Sequence, residues 1–408
     1  MEEVRLDPTE MGPRQSLGVH RFGIFAEGLY RRVETPEGPR VAGISVAHGF
    51  LLFASEVGLH FGRVVLFGRG ARGEVATDHL LPPGVELLEL PYYASLRHLL
   101  QLVRAAGGTV ARTWRGLDSV DVIWVQGPHP VGYLVVLLAV LRRRRVALGV
   151  RQDTLRYFRS RMPGRHWAPA LGVVWAMDLG WRLLARRLRT TVVGTELARR
   201  YPARPTVLPI TVTLIRRADL APAPRDGDWS GEVRLLTVGR LEQEKNPLLV
   251  VDLLAELESR RPGAFRLAWA GEGPLEGAVR ARAEERGVAD RLELLGHVAF
   301  GPALLDRYRE ADAFVHISFT EGVPQVLVEA LASALPVVAT DVGGVAAAVG
   351  EAALLVPPAD LEAVTAAVLR LADEPECRRA LVERGLARAA TLTLEAEAER
   401  VARFVAGN

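Results

Sequence analysis

Short β-rich apolar runs alternate with helical stretches along the whole of this 408-residue chain, and that alternation is its strongest fold constraint. A strand that leads through a helix to the next strand needs a crossover, which makes the sheet parallel and lays helices on its faces. In the first half the expected strands are 19–25, 63–67, 85–90, 120–125, 146–150, 191–193 and 206–208, with helical stretches at 46–60, 130–141 and 182–188. Residues 221–231, rich in Pro and Gly, read as a linker. Beyond it the alternation restarts more regularly: strands 233–238, 265–270, 292–295, 313–317 and 337–340, and helices 247–259, 275–286, 303–310 and 325–333. The expected fold is α/β, with two Rossmann-like doubly wound domains (1–220 and 232–390) facing each other across a cleft. A C-terminal helix within 391–408 is expected to pack back on the first domain. Ligands of such sheets bind beyond the carboxyl ends of the strands.

Composition narrows the class. Cys377 is the only cysteine, which excludes an internal disulfide framework and suits a reducing, cytoplasmic setting. The first twenty residues lack an apolar core segment, so no signal peptide is expected. The longest apolar run, 130–141, is too short to cross a bilayer and stops at four arginines, while 168–185 is broken by Pro169, Asp178 and Arg182. Both read as buried helices. Residues 1–220 hold 31 Arg against 18 Asp and Glu, a net of +13, and the remainder nets −10. The excess clusters at 142–145, 151–165 and 182–189, and it suits anionic lipid, a phosphorylated acceptor or nucleic acid, or else is a solvated surface. With no recognisable nucleic-acid module and little aromatic interleaving, no nucleic-acid partner is expected.

Three loops at strand ends of the second half carry the chemistry. Strand 233–238 leads into Gly239-Arg240-Leu241-Glu242-Gln243-Glu244-Lys245-Asn246-Pro247, with proline where a helix starts. Arg240 and Lys245 therefore sit beside a helix N-terminus, where free N–H groups favour anions, and the set suits a diphosphate. Lys245 is the one lysine among 51 basic residues, and a compact ammonium suits a tight phosphate pocket better than a planar fork. Strand 313–317 leads into Ser318-Phe319-Thr320-Glu321-Gly322-Val323-Pro324, with Glu329 on the following helix. Both carboxylates are placed to reach one cleft and accept from sugar hydroxyls, and Gly322 lets backbone approach a ligand. Thr340-Asp341-Val342-Gly343-Gly344 is a strand end with a turn able to present N–H groups to an anion. Two further patterns carry less. Gly271-Glu272-Gly273…Gly277 has its third glycine one place late for a dinucleotide fingerprint, and Asp226-Gly227-Asp228 lies in the linker with no strand before it. No metal site is expected.

Taken in order over roughly residues 233 to 375, these motifs resemble the donor domain of family 4 retaining glycosyltransferases. The run comprises Val238-Gly239-Arg240…Lys245, Ala270-Gly271-Glu272-Gly273-Pro274, Leu295-Gly296-His297-Val298, Glu321-Gly322-Val323-Pro324…Glu329-Ala330-Leu331 and Pro336-Val337-Val338-Ala339-Thr340-Asp341-Val342-Gly343-Gly344. The resemblance implies a GT-B fold and a nucleotide diphosphate sugar (a UDP- or GDP-sugar) as co-substrate, with no cofactor. Arg240 and Lys245 would hold and stabilise the departing diphosphate, the largest contribution to catalysis. Glu329 would bind ribose hydroxyls and Glu321 the transferred sugar. Gly322 and Val323 would touch sugar and phosphate, and His297 and Val298 would lie near the base. Ala334 stands where the family usually has glycine, and Ala347 where an acid is common.

The first half resembles the family only in outline. Gln126, His129, Arg151 and Asp153 are its acceptor-side candidates, and the family's glycine-rich loop after the first strand is expected at Gly28 or at residues 37–39. A lipid-linked or saccharide acceptor would give the basic half a purpose at an anionic membrane surface, as a peripheral protein of the inner face. Two other readings stay open: another GT-B reaction, such as a sugar phosphorylase or sugar-phosphate transferase, and a non-catalytic binding protein.

Overall fold

The computed structural model describes residues 21–36, 38–43, 48–71, 79–94, 98–161, 164, 167–224 and 229–407. They form two compact units, one of residues up to Leu214 together with those from Glu397 on, the other of Ile215–Ala396. The division falls ahead of the Pro/Gly-rich segment 221–231, of which 225–228 lie outside the described residues.

In the first unit the strands are β1 (Arg21–Thr35), β2 (Gly38–Gly43), β3 (Arg63–Gly70), β4 (His79–Leu80), β5 (Val85–Leu90), β6 (Val122–Gly127), β7 (Arg145–Val150), β8 (Arg189–Val193) and β9 (Val207–Ile210). Seven of them form a parallel sheet in the order β5-β3-β1-β6-β7-β8-β9. β1 does two jobs. Its first residues pair parallel with β3 and β6, and after an irregularity between Phe25 and Leu29 its far end turns into an antiparallel hairpin with β2. The glycine-rich loop expected after the first strand is therefore absent at Gly28, which lies inside β1, while Gly38 (φ +112°) begins β2. Residue 37 lies outside the described residues. Residues from Glu397 complete this unit: Arg145, Arg189 and Arg400 cap carbonyls of Ala406, Phe404 and Pro209 at 2.8–2.9 Å.

The second unit is a six-stranded sheet of β10 (Val233–Val238), β11 (Phe265–Ala270), β12 (Leu292–Gly296), β13 (Ala313–His316), β14 (Val337–Thr340) and β15 (Ala353–Val356). Every neighbouring pair is parallel, in the order β12-β11-β10-β13-β14-β15. Chain direction across the sheet reverses between β10 and β13, the topological switch point where such folds bind ligands. The strands are buried on both faces and accordingly read as near-continuous apolar runs. One core layer joins helices Pro247–Arg260 and Leu361–Asp373 to the sheet, and the other joins Pro302–Glu310 and Gln325–Ala332. Proline opens the first of these helices, and the Asp360 carboxylate accepts the Ala363 N–H at 2.9 Å to cap the second.

Ala334, the residue standing in for glycine, is buried with φ +58°. That left-handed conformation costs a non-glycine residue about 1–2 kcal/mol. Glycine would relieve it, but at about 0.5–1 kcal/mol of chain entropy and about 0.8 kcal/mol for the lost buried methyl. The two nearly cancel, which is how alanine is tolerated here. Ala334→Gly is therefore expected within about 1 kcal/mol of the parent in denaturant melts, whereas β-branched Ala334→Val adds strain and overpacking and loses about 2 kcal/mol or more.

Candidate active site at the switch point

Two loops meet where β10 and β13 end. After β10, Gln243–Lys245 makes a single 3-10 turn, Asn246 adopts φ +49°, and Pro247 starts the next helix. After β13, Phe319 N–H bonds the Glu244 carbonyl at 2.8 Å and ties the second loop to the first. Thr340, at the end of β14, takes the Ser318 N–H at 3.0 Å and returns its hydroxyl proton to the Ser318 carbonyl at 2.8 Å.

Between the loops sits Glu321. Its Oε1 lies 2.5 Å from Lys245 Nζ and 2.8 Å from His316 Nε2, and all three side chains are largely buried. Burial alone would raise the Glu321 carboxyl, but the hydrogen bond and charge of His316, followed by those of Lys245, outweigh it and hold it down at about 2. The Glu321 carboxylate stays ionised across the physiological range, with two nitrogen partners around it. Glu329, on the helix Gln325–Ala332, is in a different environment: it is fully enclosed and accepts the Tyr308 hydroxyl at 2.8 Å. Burial pushes it up to about 7, and the bond from Tyr308 offsets only part of that.

Arg240 stands apart from this cluster. Its side chain is 65% exposed and held by Glu242 and Glu244 of its own loop at 2.8 and 3.1 Å. His297 is exposed, its backbone N–H bonded to Glu272 Oε1 at 3.0 Å, and Val298 packs on the core. Gly322 has open space where a side chain would be, and Val323 is half-buried beside it. The paired glycines have a steric role: a Cβ on Gly343 would lie 1.9 Å from the Glu321 carbonyl oxygen, and one on Gly344 2.0 Å from that of Gly322. Only glycine lets these two strand-end loops touch backbone to backbone. The glycines of the near-fingerprint do the same on the other side, since Cβ atoms on Gly271 and Gly273 would overlap the carbonyls of Gly239 and Leu241.

Residues 232–374 match the family model described as Glycosyl transferases group 1. The chain carries a glycosyltransferase group 1 domain. It is 33% identical over 223 residues to a D-inositol 3-phosphate glycosyltransferase of Segniliparus rotundus, covering 52% of this chain and 49% of that one. The chain thus spans about half the length of the curated relatives it matches. Among solved structures it resembles a sucrose-phosphate synthase from Thermosynechococcus elongatus (TM-score 0.64, 18% identity, 94% of this chain and 97% of that one). It also resembles Anabaena HepE in complex with UDP (TM-score 0.64, 15% identity, 94% and 98%). At such identities these likenesses establish the GT-B fold of two parallel-sheet α/β domains.

The chain has a second cluster, at the carboxyl ends of the first sheet. Glu27 Oε1 lies 2.5 Å from Arg69, the Tyr93 hydroxyl donates to Glu27 at 3.2 Å, and His129 Nδ1 is 3.7 Å from Glu27 Oε2. Burial lowers the His129 imidazole, with Arg69 adding to the effect and Glu27 opposing it. Arg151, after β7, stacks on Phe50 at 4.9 Å, and burial lowers its guanidinium too. Gln126 is buried with no hydrogen bond on either amide atom among the described residues. Asp153 instead takes the Arg156 N–H at 3.0 Å and pairs with Arg200.

Sequence reasoning missed His316, Tyr308 as the partner of Glu329, and the Glu27–Arg69–Tyr93 set. His316 had one readable signal, as the only polar residue of the otherwise apolar strand Ala313–His316. The Glu329 environment has a measurable consequence. Its folded value of about 7 exceeds the ordinary 4.5, so between those values the folded state holds more protons than the unfolded chain. Stability contributed at Glu329 is therefore full below pH 4.5 and lost as pH rises through 7. Melts of the parent and Glu329→Gln from pH 4.5 to 8 should show the parent losing ground to the variant as pH rises; parallel curves would refute the assignment.

Proposed function

We propose that this chain is a retaining glycosyltransferase that moves a sugar from a nucleotide diphosphate sugar to a lipid-linked or saccharide acceptor. The observation that carries the reading is Lys245, the chain's only lysine, folded into the switch point 2.5 Å from Glu321. In this reading the Lys245 ammonium takes the diphosphate, and Arg240, exposed on the same loop, exchanges its contacts with Glu242 and Glu244 for phosphate oxygens. Glu321 and the backbone at Gly322 and Val323 hold the transferred sugar, Glu329 takes the ribose hydroxyls, and the His297–Val298 loop lies near the base. Gly343 and Gly344 let the end of β14 press on the Glu321–Gly322 backbone, and Gly239 lies against the Lys245 side chain. The bond from the anomeric carbon to the diphosphate oxygen breaks, and the acceptor oxygen bonds the same carbon from the same face. The acceptor proton passes to the departing phosphate. No metal enters the step, because fixed cations meet the negative charge as it develops.

UDP is the first nucleotide to test, since HepE, a structural neighbour, holds it. A thermal-shift panel of UDP, GDP, ADP and their sugars should raise the melting temperature with one base, and Lys245→Ala should abolish the shift. No shift with any of them would favour a sugar phosphorylase or a non-catalytic GT-B protein.

The first-unit cluster supports an acceptor bearing an anionic group. Arg69 and His129 flank the Glu27 carboxylate there, and Arg151, on the next strand end, has no carboxylate within ion-pair distance among the described residues. The relative from Segniliparus, named for an inositol phosphate, agrees with this. Arg151→Ala should raise the KM for a phosphorylated acceptor by about tenfold or more, the worth of one charge-assisted hydrogen bond. The nucleotide shift should be unchanged. Loss of both would place Arg151 in the fold rather than the acceptor site.

A further inference from the structure

Large apolar side chains should not face water in numbers on a self-contained domain, and here they do so in one place. Thirteen large hydrophobic residues are exposed among the described residues, and eleven lie on three helices of the first unit, Leu99–Gly116, Pro130–Leu141 and Ala168–Leu184. These helices carry the crossovers β5 to β6, β6 to β7 and β7 to β8, which all run the same way across the sheet. Right-handed crossovers therefore lay all three on one face. Contacts confirm the layer: Tyr133 of the second packs edge-on against Trp181 of the third at 5.0 Å, and Arg142, at the end of the second, stacks on Trp114 of the first at 4.7 Å.

The first two helices bury one side in the core and Trp181 anchors the third, yet all three also carry large apolar side chains that face outward. Leu137 and Leu141, one turn apart, are 56% and 61% exposed on a helix that holds no charged residue. Trp175 and Leu183 continue the surface on the third helix, and Leu100 and Val103 on the first. A helix apolar all round is a buried helix or a membrane-facing one, and this one is not buried on its outer side.

The expectation that residues 130–141 and 168–185 are simply buried is corrected here, because Rossmann packing covers only the sheet-facing half. Yet no helix among the described residues is long and apolar enough to cross a membrane. The rim of the face decides what covers it. Between 99 and 119, 130 and 144, and 168 and 187, the chain places nine Arg against two Asp, of which Asp118 pairs with Arg142 and Arg144 and Asp178 with Arg182, so most of the arginine charge is not neutralised there. A second copy related by two-fold symmetry would set this basic rim against itself, because such an interface joins the same patch on both partners. An anionic lipid surface satisfies both features: headgroups meet the arginines, and leucine and tryptophan enter the headgroup–acyl boundary.

We propose that this three-helix face docks the first unit onto an anionic bilayer, with Leu137, Leu141 and Trp175 inserted and the arginines at headgroup level. The proposal rests on the lipid-linked acceptor reading only for its purpose. Its test uses vesicles free of acceptor and nucleotide, so docking and catalysis can fail separately. The full chain is sedimented with phosphatidylcholine vesicles, with and without phosphatidylglycerol, at low and high salt. Binding is expected to be about tenfold or more tighter on the anionic vesicles and to weaken with salt.

Leu137→Glu with Leu141→Glu should remove that binding, and the milder Leu137→Ser with Leu141→Ser should weaken it. Both variants should keep the parent's melting temperature, as exposed positions do. Equal sedimentation with both vesicle types, or variants that bind like the parent, would overturn the proposal. So would a parent that is dimeric by light scattering and becomes monomeric on either double substitution, since the face would then belong to a second copy.

Discussion

Glu321 lies at one place in the fold where two loops must agree, and much of the second unit is arranged to let them. Its carboxylate takes a nitrogen from Lys245 on the β10 loop and another from His316 at the end of β13. A buried carboxylate is tolerable only with such partners, because burial alone would favour its neutral form. The partners arrive because the Phe319 N–H bond to the Glu244 carbonyl ties the two loops together, while backbone contacts at Gly343–Glu321 and Gly271–Gly239 brace each loop from its other side. The glycines thus act on the site from beside it, by removing the side chains that would hold the loops apart.

The two glutamates of this site are tuned in opposite directions. Glu321, among cations, stays ionised far below neutral pH, while Glu329, enclosed with only Tyr308, titrates near it. A ligand bringing hydroxyls to Glu329 would supply the donors its enclosure withholds and would favour the charged form.

The first unit has a different economy of charge. Its strand-end cluster contains more cation than carboxylate, and its outer helical face surrounds apolar stripes with arginine. Both features hold more positive than negative charge, inside the fold in one case and on its surface in the other. Together they describe a domain rich in positive charge, whereas the residues after 220 carry a net −10.

Fold class, the strands of both sheets other than β2, β4 and β15, and the positions of Lys245, Glu321 and Glu329 were legible in the sequence. Local periodicity and turn chemistry determine parallel α/β structure, and polar residues at the ends of apolar strands mark where a ligand goes. The hairpin at the far end of β1 was not legible, because Glu34-Thr35-Pro36-Glu37-Gly38 reads equally as a loop until β2 is there to pair with it. Nor was the His316–Glu321 contact, or the exposure of Leu137 and Leu141, since both depend on what packs nearby and on what does not. Sequence determined which side chains are present and on which element, because propensity and pattern act over a few residues. Only tertiary structure decided which charges meet and which apolar faces stay bare, because those are settled between segments tens of residues apart.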